Sequence, residues 1–147
     1  MTFPFVASDR ISGVDVARYA AGSIWLAGAV FNIAVTRTMD APYQWIVDDS
    51  PFPVYQWFFR DVVGMHPHWW TVTLAAGEAA IGGLTLVRGR AAQIGLAGGA
   101  VFSIFLFGSG MPYTLIMGPY AFALAWLAHR IESTRLRRTR MPSIRSA

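Results

Sequence analysis

From Ala91 to Ala128 the chain runs for 38 residues without a single charged side chain. A bilayer core about 30 Å thick is crossed by about 20 helical residues, so this stretch is long enough for two crossings with a turn between them. Gly108-Ser109-Gly110-Met111-Pro112 supplies the turn, because two glycines and a proline break a helix and favour a reversal. Two further apolar segments precede it. Tyr19 to Thr36 holds 18 residues with no charge, and Trp69 to Val87 holds 19 with one charge, Glu78. Backbone N–H and C=O groups cannot stay unpaired in lipid, so each segment is expected to be helical. The expected architecture is all-α: a transmembrane four-helix bundle with helices at about 16–36, 69–87, 91–107 and 113–130. A long extracytoplasmic loop, 37–68, and a cytoplasmic tail, 131–147, frayed beyond the last helix, complete it.

The size, 147 residues, suits one integral membrane domain and not two. Hydrophobic residues make up 54% and charged residues 14%, against about 25% charged in an ordinary soluble domain. The first 18 residues hold Asp9, Arg10, Asp15 and Arg18, and the apolar run that follows is longer than the core of a signal peptide. Helix 1 is therefore expected to be retained.

Arginine placement sets the orientation. Arg10 and Arg18 precede helix 1, Arg88 and Arg90 form the turn between helices 2 and 3, and Arg130, Arg135, Arg137, Arg138, Arg140 and Arg145 follow helix 4. Only Arg37 and Arg60 fall on the opposite side. Both termini are thus expected in the cytoplasm, with the 37–68 loop and the 108–112 turn outside. The net charge of +4 is explained by these flanking positions and gives no reason to expect nucleic acid as a partner. Membrane lipids are the expected partners, and the arginine-rich tail suits anionic headgroups.

Several chemistries are excluded by composition. All 12 basic residues are arginine, so no lysine can form a Schiff base. Cysteine is absent, which removes disulfides, thiolate catalysis and cysteine-ligated iron–sulfur clusters. No apolar segment contains an internal histidine, which speaks against a bis-histidine haem in the bundle.

Glu78 is the most informative residue. It lies nine positions after Trp69, about 13.5 Å along the helix and close to the bilayer midplane. A charged group there costs about 2.5–3.5 kcal/mol on insertion scales, so Glu78 is expected to face the bundle interior, either carrying a proton or paired. Asn32, Gln93, Thr71, Thr73, Thr85 and Arg37 are the candidate partners. Two readings stay open: a proton-accepting or ligand-binding group, and a neutral carboxyl that ties neighbouring helices together.

The outer loop carries Tyr43, Trp45, Phe52, Tyr55, Trp57, Phe58 and Phe59, with a short interfacial helix expected over Val54 to Val63, after the Pro51-Phe52-Pro53 break. Tyr55, Trp57, Arg37 and Arg60 are candidates for holding a quinone or lipid head, since flat rings stack on aromatics and carbonyls take donors. The plainer reading is an aromatic belt at headgroup level. His66 and His68, with Asp61, are weak candidates for a metal, because their spacing fixes no third ligand; a polar turn before Trp69-Trp70 is the plainer reading.

Glycines thin the helices: Gly22 and Gly28 in helix 1, Gly77, Gly82 and Gly83 in helix 2, and a GxxxG from Gly95 to Gly99 in helix 3. Small residues allow close helix approach, either within one chain or between copies in a homo-oligomer. Gly118-Pro119 is expected to kink helix 4.

Taken together, these features resemble the DoxX-like proteins, small bacterial four-helix membrane proteins. The resemblance spans about Val16 to Ala128. It rests on an arginine-flanked first helix ending in the small-residue and Asn stretch Ala27 to Ala34, on the proline- and aromatic-containing loop, and above all on the segment from Gly77-Glu78 to Arg88-Gly89-Arg90. The loop here is longer and more aromatic than the family's usual one, and Arg37 stands nearest to where a lysine is often found. The resemblance implies a link to thiosulfate:quinone oxidoreductase subunits and to membrane complexes handling sulfur or oxidative stress, with Glu78, and Arg88 or Arg90, carrying over. The expected role is a non-catalytic or accessory subunit that anchors a redox partner in a bacterial cytoplasmic membrane and presents a quinone or lipid site at its outer face. A quinone-linked oxidoreductase subunit and a small proton-coupled transporter are the alternatives.

Overall fold

The computed structural model describes residues 12–39, 43–110 and 113–140, with the side chains of 35–37 and 134–140 outside that description. Every regular element among them is helical: α1 (Gly13–Thr38), α2 (Gln44–Asp49), α3 (Pro53–Trp57) running into a π-helical stretch (Phe58–Val63), α4 (Pro67–Leu86), α5 (Arg90–Phe107) and α6 (Tyr113–Arg140). The four long helices form a bundle in which α1 packs on α4, α4 on α5 and α5 on α6, with α1 also touching α6. Among the described residues α5 alone is long and apolar enough, by length and composition, to cross a membrane. The expectation of four such helices is thus met by one. In α4, His68 and Glu78 lower the apolar character, α6 carries His129 and Arg130 within its apolar half, and the uncharged run of α1, 19–36, ends among side chains outside the description.

Several helix ends have an identifiable cause. Ser12 caps α1: its hydroxyl accepts the Asp15 amide at 3.1 Å and donates to the Asp15 carboxylate at 2.8 Å. That hydroxyl, more than nearby Arg18, holds the Asp15 carboxyl below its ordinary value. Pro53 and Pro67 open α3 and α4 in the first turn, where no amide hydrogen is needed. Gly89, with φ of +76°, makes the α4–α5 turn in a conformation other residues resist. The C-terminus of α4 is closed by a residue 67 or more positions away. Buried Arg18 donates from Nη1 to the carbonyls of Thr85 (3.0 Å), Leu86 (2.6 Å) and Val87 (2.9 Å). A cation there satisfies orphan carbonyls and complements the negative end of the helix dipole.

The helix contacts are made by glycine. A Cβ on Gly82 would stand 2.9 Å from the Gly22 carbonyl, and one on Gly22 would stand 3.1 Å from the Gly82 carbonyl, so the backbones of α1 and α4 touch. A Cβ on Gly95 would press Thr85 at 2.6 Å, and one on Gly99 would meet the Trp25 indole at 2.8 Å. The GxxxG of α5 is therefore used within the chain, against α4 and α1. The core at this level is Ala21, Trp25, Leu96, Ala100, Leu124 and Leu127.

Loop 37–68 folds into a cap. The expected short helix is present and starts at Pro53, but its second half is π-wound; the Gly64 amide reaches back to the Phe59 carbonyl at 2.9 Å. α2, which the sequence reading leaves as loop, forms because Ile46 buries itself against Phe59 and Val63. Two hydrogen bonds and a ring stack fasten the cap to the end of α5, the turn after it and the start of α6. The Ser50 hydroxyl donates to the Gly108 carbonyl at 2.7 Å, the Tyr55 hydroxyl donates to the Phe105 carbonyl at 2.7 Å, and Trp45 stacks on Tyr113 at 5.1 Å between centroids.

The last helix differs from expectation at its end. The tail from 131 was expected to fray, yet α6 continues to Arg140. Arginine is a good helix former and no glycine or proline interrupts the chain before Pro142. Met111, Pro112 and 141–147 lie outside the described residues. The helix also runs through Pro119, whose ring leaves the Leu115 carbonyl without its amide partner.

Gly82→Ala should lower the melting temperature of the purified chain, since the added methyl meets backbone and Leu26; overpacking of this kind costs about 1–3 kcal/mol. Gly83→Ala, where a Cβ meets nothing within 4 Å, should be neutral or stabilising by about 0.5–1 kcal/mol. Equal effects at both positions in a thermal melt would refute the backbone contact.

Candidate functional site

Glu78 is buried, 7% exposed, and its carboxylate faces α1 as the sequence predicts for an interior group. Of the six candidate partners Asn32 is the one the structure supplies: its Nδ2 donates to Glu78 Oε2 at 2.7 Å. The Asn32 side-chain carbonyl in turn accepts the Tyr43 hydroxyl at 3.1 Å. A chain of two hydrogen bonds thus leads from the base of the cap to the carboxylate, every donor pointing toward Glu78.

Gly28 makes room for this arrangement. It lies one turn before Asn32, and a Cβ on it would stand 3.1 Å from Glu78 Oε1 and 3.2 Å from Cδ. Thr71, fully buried, sits one turn above Ala75 on α4 and donates its hydroxyl to the Pro67 carbonyl at 2.9 Å. Burial first, and the Glu78 charge last, push the Tyr43 phenol above its ordinary value, while the Thr71 hydroxyl beside it pulls the other way. Thr85 is at the far end of α4, in contact with Gly95, and Thr73 is exposed with its hydroxyl bonded to the Trp69 carbonyl at 2.8 Å. Gln93 is half-buried on α5. Arg37 lies in α1 and its side chain is outside the described residues.

Tyr43 and Gly28 are the two positions whose place beside the Glu78–Asn32 pair sequence reasoning missed. Gly28 had a signal, since it precedes Asn32 by one helical turn within the small-residue stretch of helix 1. Tyr43 had none, because nothing local says that a loop tyrosine folds back over the end of a helix.

Of the described side chains considered for a quinone or lipid head, Tyr55 parts from Trp57 and Arg60. Tyr55 turns inward, with its ring against Gly108 and its hydroxyl on the Phe105 carbonyl. Trp57 is half-exposed and Arg60 is exposed, its guanidinium paired with Asp61 at 3.0 Å. The Arg60 bond holds the Asp61 carboxyl below its ordinary value. His66 stands at the start of α4, and both it and His68 are exposed. Among the described residues no three His, Cys, Asp or Glu side chains gather closely enough to share a metal ion.

The cap and bundle are joined by aromatic rings instead. From Tyr43 the contacts run to Phe59 (6.0 Å between centroids), to Phe105 (6.4 Å), to Phe102 (6.3 Å), to Trp25 (5.5 Å) and to Tyr120 (6.1 Å). Edge and tilted ring pairs contribute about 0.5–1.5 kcal/mol each beyond their buried area.

Asn32→Leu should destabilise the fold by about 1–3 kcal/mol, the cost of leaving a buried acceptor unsatisfied. Adding Glu78→Leu should recover part of that loss, because the two groups form one unit. The check is a double-mutant cycle by thermal or denaturant unfolding, with a coupling of about 0.5–3 kcal/mol expected; strict additivity would show that the bond contributes nothing.

Comparison with protein-family models, with curated proteins and with solved structures finds no match to this chain, so the resemblance to DoxX-like proteins draws no support from them.

Proposed function

We propose that the chain is an integral membrane subunit in which α1, α4, α5 and α6 span a bacterial cytoplasmic membrane, with the cap outside and both termini inside. Its role is to anchor a redox-linked partner protein, in keeping with the DoxX-like resemblance. The observation that carries the reading is the distribution of polarity. Large apolar side chains ring the outside of the long helices: Val30 on α1, Trp69 on α4, Val101 on α5 and Phe122 on α6 are 69–75% exposed. The buried positions include Arg18, Thr71, Glu78, Thr85 and Ser103. Water-soluble monomers rarely expose contiguous apolar surface beyond a few hundred Å², whereas lipid makes such a surface the favourable one and drives helices together through small residues and polar bonds.

Two ends of the bundle suit two partners. Arg88 and Arg90 are exposed on either side of Gly89 and lie where an acidic protein face or anionic headgroups would meet them. Trp57 and Arg60 project from the cap at the opposite end, where an aromatic ring and a guanidinium settle among headgroups. A lipid head fits this pair better than a quinone, since the Tyr55 hydroxyl that would complete a quinone site is engaged by Phe105. Without cysteine or lysine the subunit would draw its redox centre from the partner.

The absence of cysteine gives the test a silent background. In intact cells a membrane-impermeant maleimide should label Asp48→Cys and should label Glu132→Cys only after permeabilisation, with both variants staying in the pellet after an alkaline carbonate wash. Release of the chain by carbonate would overturn the membrane reading. In mild detergent a redox-active partner should copurify in stoichiometric amount and be lost from the combined Arg88→Gln and Arg90→Gln variant; purification of the chain alone would overturn the anchoring role.

A further inference from the structure

The contact between α1 and α4 changes character at Glu78. Toward the C-terminal end of α4, which Arg18 of α1 closes, it is sealed: the Gly22 and Gly82 backbones touch, and Leu86 and Leu26 lie 2.8 and 2.9 Å from where Cβ atoms on those glycines would be. The Arg18 guanidinium beyond them is committed to three backbone carbonyls. Toward the cap the same contact is polar. Asn32 reaches Glu78, Tyr43 reaches Asn32, and the Thr71 hydroxyl stands beside the phenol. Tyr43 is only partly buried, so this polar strip ends close to the surface under the cap.

We propose that Glu78 exchanges a proton with the cap side of the bundle and with that side alone, along the strip formed by Asn32 and Tyr43. The inference rests on the membrane reading, which gives the two ends separate aqueous phases, and deepens it by assigning the bundle a one-sided proton site. Asn32 holds Oε2 as an acceptor. An amide nitrogen has no lone pair to pass a proton on, so Asn32 does not relay it. Oε1, which faces Gly28 and takes no hydrogen bond among the described residues, is where the proton is received. The step is simple: hydronium arriving along the strip gives its proton to the carboxylate and leaves as water, and no other bond changes. Among the described residues the titratable group facing Glu78 is the Tyr43 phenol; α1 offers Asn32 and Gly28, neither of which titrates.

Dicyclohexylcarbodiimide adds to a protonated carboxyl in apolar surroundings, and the adduct keeps the whole carbodiimide mass. The test uses the full chain in right-side-out vesicles, with orientation confirmed by maleimide labelling of Asp48→Cys and the adduct read by intact mass. Adduct yield should rise severalfold as the cap-side pH falls, stay flat as the Arg88-side pH is varied, and vanish in Glu78→Gln. Tyr43→Phe keeps the ring contact with Phe59 and removes the hydroxyl, so it should weaken the response to cap-side pH while lowering the melting temperature less than Asn32→Leu does. Asn32→Leu should weaken it further. Yield that follows the Arg88-side pH, follows both sides equally, or is absent in the parent chain at every pH overturns the one-sided site while leaving the membrane reading intact. A chain that does not float with the vesicles overturns both.

Discussion

The fold depends on the place where α1 and α4 touch backbone to backbone. Two glycines, Gly22 and Gly82, each remove the side chain that would hold the helices apart. Once the axes are that close, everything else on the two helices is in register. One end brings Arg18 onto the last carbonyls of α4, and the other brings Asn32 onto Glu78. Both polar contacts would be costly if mismatched, because a buried guanidinium or carboxyl without a partner loses several kcal/mol of hydration. The glycines set the distance and the two polar pairs set the rotation and slide of one helix on the other. Packing alone would leave these undetermined on helices so evenly apolar.

The long helices were legible in the sequence because their signal is local. An uncharged run needs no partner to be recognised, and the turns at 87–90 and 108–112 are marked by Gly89, Gly108 and Gly110. Glu78 was legible as an interior group for the same reason: a lone charge in an apolar helix has few places to go. What was not legible is what depends on distant residues. Arg18 reads as a flanking, orientation-setting arginine; nothing in its neighbours says that it reaches across to residues 85–87. Tyr55, Trp57 and Arg60 fall within six residues and look like one binding face. The turn from α3 into the π-helical stretch sends Tyr55 to the bundle and leaves the other two outside. The cap as a whole was read as a loop with one helix, since α2 exists only because Phe59 and Val63 cover Ile46.

The cap has a structural role that its sequence hides. Its aromatic residues suggest a surface belt, and Trp57 fits that description. Phe58, Phe59 and Tyr55 do not: they face Phe105 and Trp70 and continue a line of rings down to Trp25 in the bundle core. The line ends at two buried donors, Trp25 Nε1 and the Tyr120 hydroxyl, that have no hydrogen-bond partner among the described residues. Gly99 lies directly against the first of these, so the indole sits where a larger residue on α5 would exclude it. Tryptophan and tyrosine fill volume there while their polar atoms go unpaired among the described residues, in a core of few, large rings between glycine-thinned helices.

The same economy explains why the one acid of the bundle interior lies where it does. A carboxyl at Glu78 needs a donor and a gap for its second oxygen. Asn32 supplies the first and Gly28 the second. On the membrane reading, moving the acid one turn toward the α4 C-terminus would set it against Gly22 and Leu26, with no donor and no gap. The observed position is therefore one where Asn32 meets one carboxyl oxygen and Gly28 leaves space for the other, with the Gly22–Gly82 backbone contact one turn away.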